Sequence, residues 1–485
     1  MSRINTNVQA LRTVHQLRGN NLDLNTRLDR LATGLRINRG ADDPAGLIAS
    51  ESLRSEIRAI EQAIDNSARA INVVSTAEGA LNEVSALLLQ LQDLLVQSAN
   101  DGALTDDEIA ANQLEIDSIL GSIDRIANTT AFAGRKLLDG SGAYTTSSIS
   151  PAAIASLNVY AATIPNGATR NVTVEVTASA ETARLAFVGT RTNASNQSIT
   201  SATTIEIQGN IGSNLLSFAS GATLTNIQTA INDTSHITGV SATISAPATG
   251  GANSAIVLHS IEYGSDRFVS VTPITGNFIE LSNNGKVLKD AGVDVGVVVN
   301  GQIAASRGLQ ADVRSEALDT RLHLTSNFAQ SLSSSTFVIT GGGSLFQLSP
   351  RVTPNGQENL GFDRVASTAL GNGVVGLLYT LRSGQGNDLD SKNFLDAQKI
   401  VQESINQVSY YRGRLGNFQK NKLEPSITSQ SITLENVKAS ESVIRDADIA
   451  EEVAALTRAE ILVQSTQATL QIATNAPRAV LSLLG

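Results

Sequence analysis

At 485 residues the chain has room for two to four domains, and each can bury a core of ordinary size. Hydrophobic residues make up 41%, but aromatics are only 4% and Trp is absent, so the cores are aliphatic and large anchors for an enzyme-like pocket are few. A net charge of −10 without a Lys/Arg run excludes a general nucleic-acid binder, and zero Cys excludes disulfides, thiolate metal sites and cysteine nucleophiles.

The chain opens with an amphipathic helical pattern. Val14, Leu17, Leu24, Leu28, Leu31 and Leu35 alternate spacings of three and four, the seam of a coiled coil, and polar Asn21 fills the vacant heptad slot. In that slot Asn21 either fixes register or is a tolerated polar residue facing water. Residues 34 to 50, GLRINRGADDPAGLIAS, interrupt the pattern. Asp43 is placed to cap a new helix and Pro44 to occupy its first turn. That helix carries Leu53, Ile57, Ile60, Ile64, Ile71, Val74, Leu81, Val84, Leu88, Leu91 and Leu95 to a stop near NDG at 100 to 102, a length of about 80 Å. Thr105 to Glu108 is a T-x-x-E capping box opening a further helix with Ile109, Ile116, Ile119, Ile123 and Ile126.

From about Gly140 to Gly376 the chain turns rich in Ser, Thr, Ala and Gly. The runs VTVEV (172 to 176), TIEI (204 to 207), SATIS (241 to 245) and STFVIT (335 to 340) read as short strands, and LTNIQTAIN (224 to 232) as a short helix. Helical pattern resumes from about Asp390, and Pro425 is expected to kink or end it. The last helix places Ile449, Leu456, Val463 and Leu470 seven residues apart. Residues 1 to 40 hold seven Arg and two Asp, residues 441 to 485 six acids and three Arg, so the two ends attract. Periodicity alone leaves two readings open, a terminal pair or two helices each packed on its own neighbouring domain. The fold class is α+β: a long antiparallel helical bundle and terminal coiled coil around a β-rich central insertion.

INTNVQALR, LATGLRINRGADDPAGLIAS, STAEGALNEV, VQSAN, NTTAFAGRKLLDG, SVIRDADIAEEVAALTRAEIL and APRAVLSLLG follow one another in order and resemble bacterial flagellin. Residues 203 to 245 resemble the flagellin hook IN motif, and GGGSLFQLSP at 341 to 350 is similar to a segment found in long flagellins. The resemblance implies an inner coiled-coil layer from residues 1–38 and 446–485, with a spoke at 39–46 that includes Gly40, Asp42, Asp43 and Pro44. It further implies a core helical domain from 47–140 and 390–445, and an outer β-rich region at 141–389. It implies a secreted subunit that polymerises into the flagellar filament for swimming, with terminal helices that order on assembly. The partners implied are copies of itself, the flagellar type III export apparatus, an export chaperone, and the distal cap and junction proteins. Arg445, Asp446 and Asp448 are expected either to bridge subunits or to solvate a helix end. Leu94 and Glu115 match the surface by which a Toll-like receptor senses flagellins, but Gln90 and Gln92 stand where arginines usually lie, so that recognition is expected to be weak.

No catalytic, cofactor or metal site is expected. Gly371, Gly373 and Gly376 with Asp390 mimic a dinucleotide fingerprint, but no strand precedes them and no βαβ unit follows. None of His15, His236, His259 and His323 opens an H-E-x-x-H motif, and Asp106, Asp107 and Glu108 read as helix N-terminal charge. No stretch offers some 18 apolar residues for a membrane span, and the N-terminus has no apolar signal segment. The rival readings are a hook to filament junction protein, which shares terminal helices of this type, and an adhesive or glycan-displaying filament with N-x-S/T triplets at Asn171, Asn193 and Asn196.

Overall fold

The computed structural model describes residues 6–100, 102–164, 169–188, 198–199, 201–245, 255–276, 280–281, 288–315 and 317–481. Asn193 and Asn196 lie outside the described residues, as do the first residues of INTNVQALR and the last of APRAVLSLLG. In chain order the helices are α1 (Val8–Thr33), α2 (Pro44–Ser98), α3 (Asp106–Thr129), α4 (Leu224–Asp233), α5 (Ser235–Thr238), α6 (Ser326–Ala329), α7 (Phe394–Phe418), α8 (Glu424–Arg445) and α9 (Ile449–Leu481). The chain divides into two compact units: Met1–Ile71 with Gln347–Gln357 and Phe418–Gly485, and Asn72–Phe346 with Glu358–Asn417.

The first unit is helical. Its α2 portion buries Ile57, Ile60, Ala63, Ser67 and Ala70, three or four residues apart, while Lys438 of α8 reaches Glu61 at 2.8 Å. Pro425 does not end the helical run. Gln419–Leu423 form a π-helical segment in which the Glu424 amide reaches back to the Gln419 carbonyl, and Pro425 then sits in the first turn of α8. A wide turn just ahead of the ring relieves its clash with the preceding carbonyls.

In the second unit the rest of α2 buries Val74, Ala77, Leu81, Val84, Leu88, Leu91 and Leu95, and α3 buries Ile109, Ile116, Ile119, Leu120 and Ile123. These are helical stripes read directly from the apolar spacing. The T-x-x-E box forms in full, with the Thr105 side chain accepting from the Glu108 amide and the Glu108 carboxylate accepting from the Thr105 amide at 2.8 Å. Asp124 of α3 accepts from the Ser367 amide and hydroxyl, and Gln113 bonds both the Leu381 carbonyl and the Leu389 amide.

The β-rich part contains two separate cores. One lies between a five-stranded sheet, ordered Gln302–Ile303, Gly296–Val299, Arg170–Ala178, Ser334–Gly342, Tyr144–Ser147, and a four-stranded sheet, Ala305–Arg307, Gln310–Arg314, Leu318–Leu324, Ile154–Ala162. Strict alternation in Arg170–Ala178 turns Val172, Val174 and Val176 inward. The other core belongs to two four-stranded sheets and α4. Residues 203 to 245 build part of it as a hairpin (Thr203–Gln208, Ser213–Phe218), then α4, then Val240–Ser245 on the other sheet. Asn232 of α4 is fixed to that last strand, accepting from the Ala242 amide at 2.7 Å and donating to its carbonyl at 3.1 Å. The three spaced glycines form a small hairpin, Gly371–Asn372 with Gly376–Leu377, whose Gly371 amide and carbonyl are both held by the Gln407 side chain.

Candidate self-assembly surface

Helices α1 and α9 lie side by side and antiparallel in the first unit. The partly or fully covered positions of α1 are Ala10, Thr13, Val14, Leu17, Asn20, Leu24, Thr26, Arg27, Arg30 and Leu31, and those described for α9 are Glu452, Ala455, Leu456, Ala459, Val463, Thr466, Leu470 and Ala473. Ala455 apart, the steps on α9 alternate between four and three. A seam of this width is a coiled-coil stripe, and most of its aliphatic members are only half covered.

Polar groups fix the register at three levels. Asn7 caps α1 by accepting from the Ala10 amide at 3.0 Å, and its Nδ2 donates to the Ala473 carbonyl at 2.7 Å. Asn20 donates to the Thr466 hydroxyl at 2.7 Å and to the Leu462 carbonyl at 3.3 Å. Glu452, 5% exposed, accepts from Arg27 at 2.9 Å and from Arg30 at 3.0 Å. Burial works against ionising this carboxyl, but the bonds from Arg27 and Arg30 outweigh it and hold it below the usual carboxylate range. The same hydrogen bond raises the Arg27 guanidinium. A covered ion triad adds little net stability over an apolar seam, but sliding α9 by one turn would strand its carboxylate, so it specifies alignment.

The spoke is stitched to the link between α8 and α9. Leu35 and Asp446 form an antiparallel bridge, the Arg36 amide donates to the Arg445 carbonyl at 2.7 Å, and the Ala447 amide donates to the Gly34 carbonyl at 2.9 Å. Gly34 ends α1 in the left-handed region at φ 71°, a conformation that costs a side-chain-bearing residue. Asp42 accepts from the Arg39 and Asn38 amides at 2.8 and 3.0 Å, and these bonds lower its pKa. Asp43 accepts from the Gly46 amide at 2.9 Å as the cap of α2, with Pro44 in its first turn. Gly46 presses against this cap, since a Cβ there would sit 2.7 Å from Ile37 Cδ1, whereas one at Gly40 would meet only Leu47 at 3.6 Å.

Two family patterns match the chain, one at each end. "Bacterial flagellin N-terminal helical region" covers residues 4–143 and "Bacterial flagellin C-terminal helical region" covers residues 398–484. The chain belongs to the bacterial flagellin family. It is 45% identical over 141 residues to a flagellin of Bacillus subtilis, a match that takes in 28% of this chain and 46% of that protein. It is 28% identical to flagellin B of Helicobacter pylori over 99% of both chains. A flagellar hook associated protein from Legionella pneumophila is 11% identical, covers 80% of this chain and 97% of its own, and has a TM-score of 0.30, a likeness that carries no argument. The family is structural, and among the described residues no helix is long and apolar enough to cross a membrane.

Several residues expected at flagellin-type contacts take other positions. Asn21 and Leu28 are exposed, and the seam takes Asn20 in place of Asn21, because the covered stripe runs Thr13, Leu17, Asn20, Leu24, Arg27, Leu31 in alternating steps of four and three. Ile449 is exposed as the first residue of α9, and Glu452 holds that end of the stripe. Leu35 lies beyond α1, in the spoke bridge. The expected subunit bridge is engaged inside the chain: Arg445 pairs with Glu51 at 3.0 Å, Asp446 accepts from the Ser442 hydroxyl, and Asp448 accepts from the Ala450 and Glu451 amides at the start of α9. On the receptor-like surface Gln90 and Glu115 are exposed and Gln92 partly so, but Leu94 is 9% exposed because it lies on the inward stripe of α2. Glu452, Arg27, Arg30 and Asn7 were not readable as contacts from apolar spacing; the available signals were the opposite charge of the two ends and an acid in a seam position.

Proposed function

We propose that this flagellin is a structural subunit of the bacterial flagellar filament, with its assembly contacts on α1 and α9. The observation that carries the reading is the exposed apolar set on this narrow pair. Leu22 is 68% exposed, and Leu11, Val453, Ile461 and Ile472 are also open to water. A two-helix stripe that leaves such residues uncovered recovers little of its ordering entropy until further surfaces cover it. Residues 1–38 and 446–485 therefore order fully when neighbouring copies pack on them, and heterologous contacts that do not close propagate a helical filament. Residues 39–46 serve as the spoke, 47–140 with 390–445 as the helical body, and 141–389 as the variable β-rich part.

On this reading the chain is secreted, is not an enzyme, is exported by the flagellar apparatus with a chaperone, and meets cap and junction proteins in place. Burial of Leu94 and the absence of arginine at Gln90 and Gln92 support weak receptor sensing. The test is seeded polymerisation followed by electron microscopy, using the full chain and chains lacking residues 1–38 or 446–485. The full chain elongates seeds into long fibres and neither truncation does. Fibres of the same form from a truncated chain would overturn the proposal.

A further inference from the structure

The second unit contains a polar joint between α7 and the sheet carrying Ile154–Ala162. Tyr160 of the sheet is fully buried, and its ring centre lies 4.9 Å from that of Tyr410 and 5.9 Å from that of Tyr411, both on α7. Arg414 of α7 lies over the Tyr160 ring at 4.4 Å, donates to the Tyr160 carbonyl at 2.6 Å and approaches Asp319 at 3.8 Å. Arg321 covers the other face of the cluster, 4.5 Å from the Tyr410 ring centre, while gripping Asp312 at 2.8 and 3.2 Å. Beside the joint opens a cavity of about 270 Å³.

Asp363 borders this cavity and is poorly matched to its surroundings. Its carboxyl receives the Tyr411 hydroxyl, but Oδ2 is sealed from solvent and has no hydrogen-bond partner. Among the described residues no salt bridge reaches it, although Arg364 borders the same cavity. Arg414 is spent on Tyr160 and Asp319, and Arg321 on Asp312. The other titratable groups around the cavity are Tyr144, His323 and Arg321 from the sheets, Glu403 from α7 and Arg364 from its own segment. A carboxylate held there bears the desolvation cost of a charge without its compensation, while a neutral acid bears only that of a dipole.

We propose that the Asp363 carboxyl takes up a proton in the folded joint on mild acidification, so that the packing of α7 onto this sheet tightens as pH falls. Burial pushes the carboxyl up to about 6 against the pull of Arg414 and the Tyr411 bond. Burial likewise raises the Tyr411 hydroxyl well above its ordinary value, so it remains a donor throughout. Because the folded value exceeds the unfolded one, the penalty is full above pH 6 and disappears toward pH 4, and the unit gains stability as pH falls between them. His323 and His259 oppose this: burial lowers both, so their share of stability is lost as pH falls through the ordinary histidine range. Comparison with an Asp363→Asn chain cancels their contribution.

The tyrosines provide the readout. The chain has six and no Trp, and all of them (Tyr144, Tyr160, Tyr263, Tyr379, Tyr410, Tyr411) fall in the second unit. Urea unfolding of the full chain, followed by tyrosine near-ultraviolet dichroism, is compared for wild type and Asp363→Asn between pH 5 and pH 8. The Asn chain has the smaller unfolding constant at pH 8, and its advantage shrinks about tenfold by pH 5. A ratio constant within about twofold across that range overturns the proposal. Should Asp363→Asn not fold, infrared titration of Asp319→Asn decides, since that chain lacks the joint's other raised carboxyl. A protonated-carboxyl band that survives at pH 5.5 and vanishes by pH 7 upholds the proposal, and its absence at pH 5.5 refutes it.

Discussion

Replacing Glu452 by Ala is the sharpest perturbation of the terminal pair. The carboxylate is nearly inaccessible and accepts from two guanidinium groups, at 2.9 and 3.0 Å. Each charge-assisted bond contributes about 1.5–3 kcal/mol when its partner is left unsatisfied. The two do not add, because Arg27 keeps Asp23 at 3.2 Å, and both arginine side chains retain some solvent, 27% and 19% exposed. Discounting for that screening leaves about 2 kcal/mol. If α1 and α9 pair stably only within the polymer, the whole loss falls on elongation, and the critical concentration rises about thirtyfold. Glu452→Gln retains one acceptor and raises it about fivefold. The measurement is the unpolymerised protein left after seeded growth, separated by sedimentation. A critical concentration for the Ala chain within twofold of wild type would show that the triad does not hold the pair, and the reasoning would fail.

Acid acts on this contact and on two other ion pairs of the first unit. Glu452, Glu51 and Glu61 all have their carboxyls held low by Arg or Lys partners, so the stability they provide is present above about pH 4.5 and is lost as pH falls below it. Helical dichroism of polymer and monomer, titrated from pH 6 to pH 3, should fall only below that point, and earlier loss would implicate other groups. Asn20→Ala should destabilise the filament by about 1 kcal/mol, whereas Asn21→Ala should change it by less than about 0.5 kcal/mol; equal effects in thermal depolymerisation would contradict the register seen in the seam. Gly46→Ala forces Ile37 and the Asp43 cap to move and should cost about 1–3 kcal/mol in urea unfolding, while Gly40→Ala should be mild.

The helices were legible because their apolar spacing is long and regular, and the Thr105–Glu108 box forms as the sequence requires. The strands at 172 to 176, 204 to 207, 241 to 245 and 335 to 340 were legible from alternation, but their distribution over three sheets and two cores was not, because registers depend on partners far away in sequence. Pro425 misled because a ring within a helical pattern usually breaks it, and a π-turn is a local accommodation that composition does not announce. The seam was half legible. Leucine spacing identified Leu17, Leu24, Leu456, Val463 and Leu470, yet a pattern counted only in apolar residues skips Asn20 and Glu452, which hold the alignment. Leu94 shows the converse error: matching residue identity to a surface says nothing of the side on which that residue lies.

Arg27 and Glu452 are separated by 425 residues, and Asn7 from Ala473 by 466. Contacts of such sequence separation carry a large closure cost unless the intervening chain has already collapsed and drawn its ends together. Whichever end is made or delivered first must therefore wait, without its mate, until nearly the whole polypeptide has followed. Engagement of Glu452 thus acts as a completion signal, marking a molecule whose interior is folded and whose two extremities are both present.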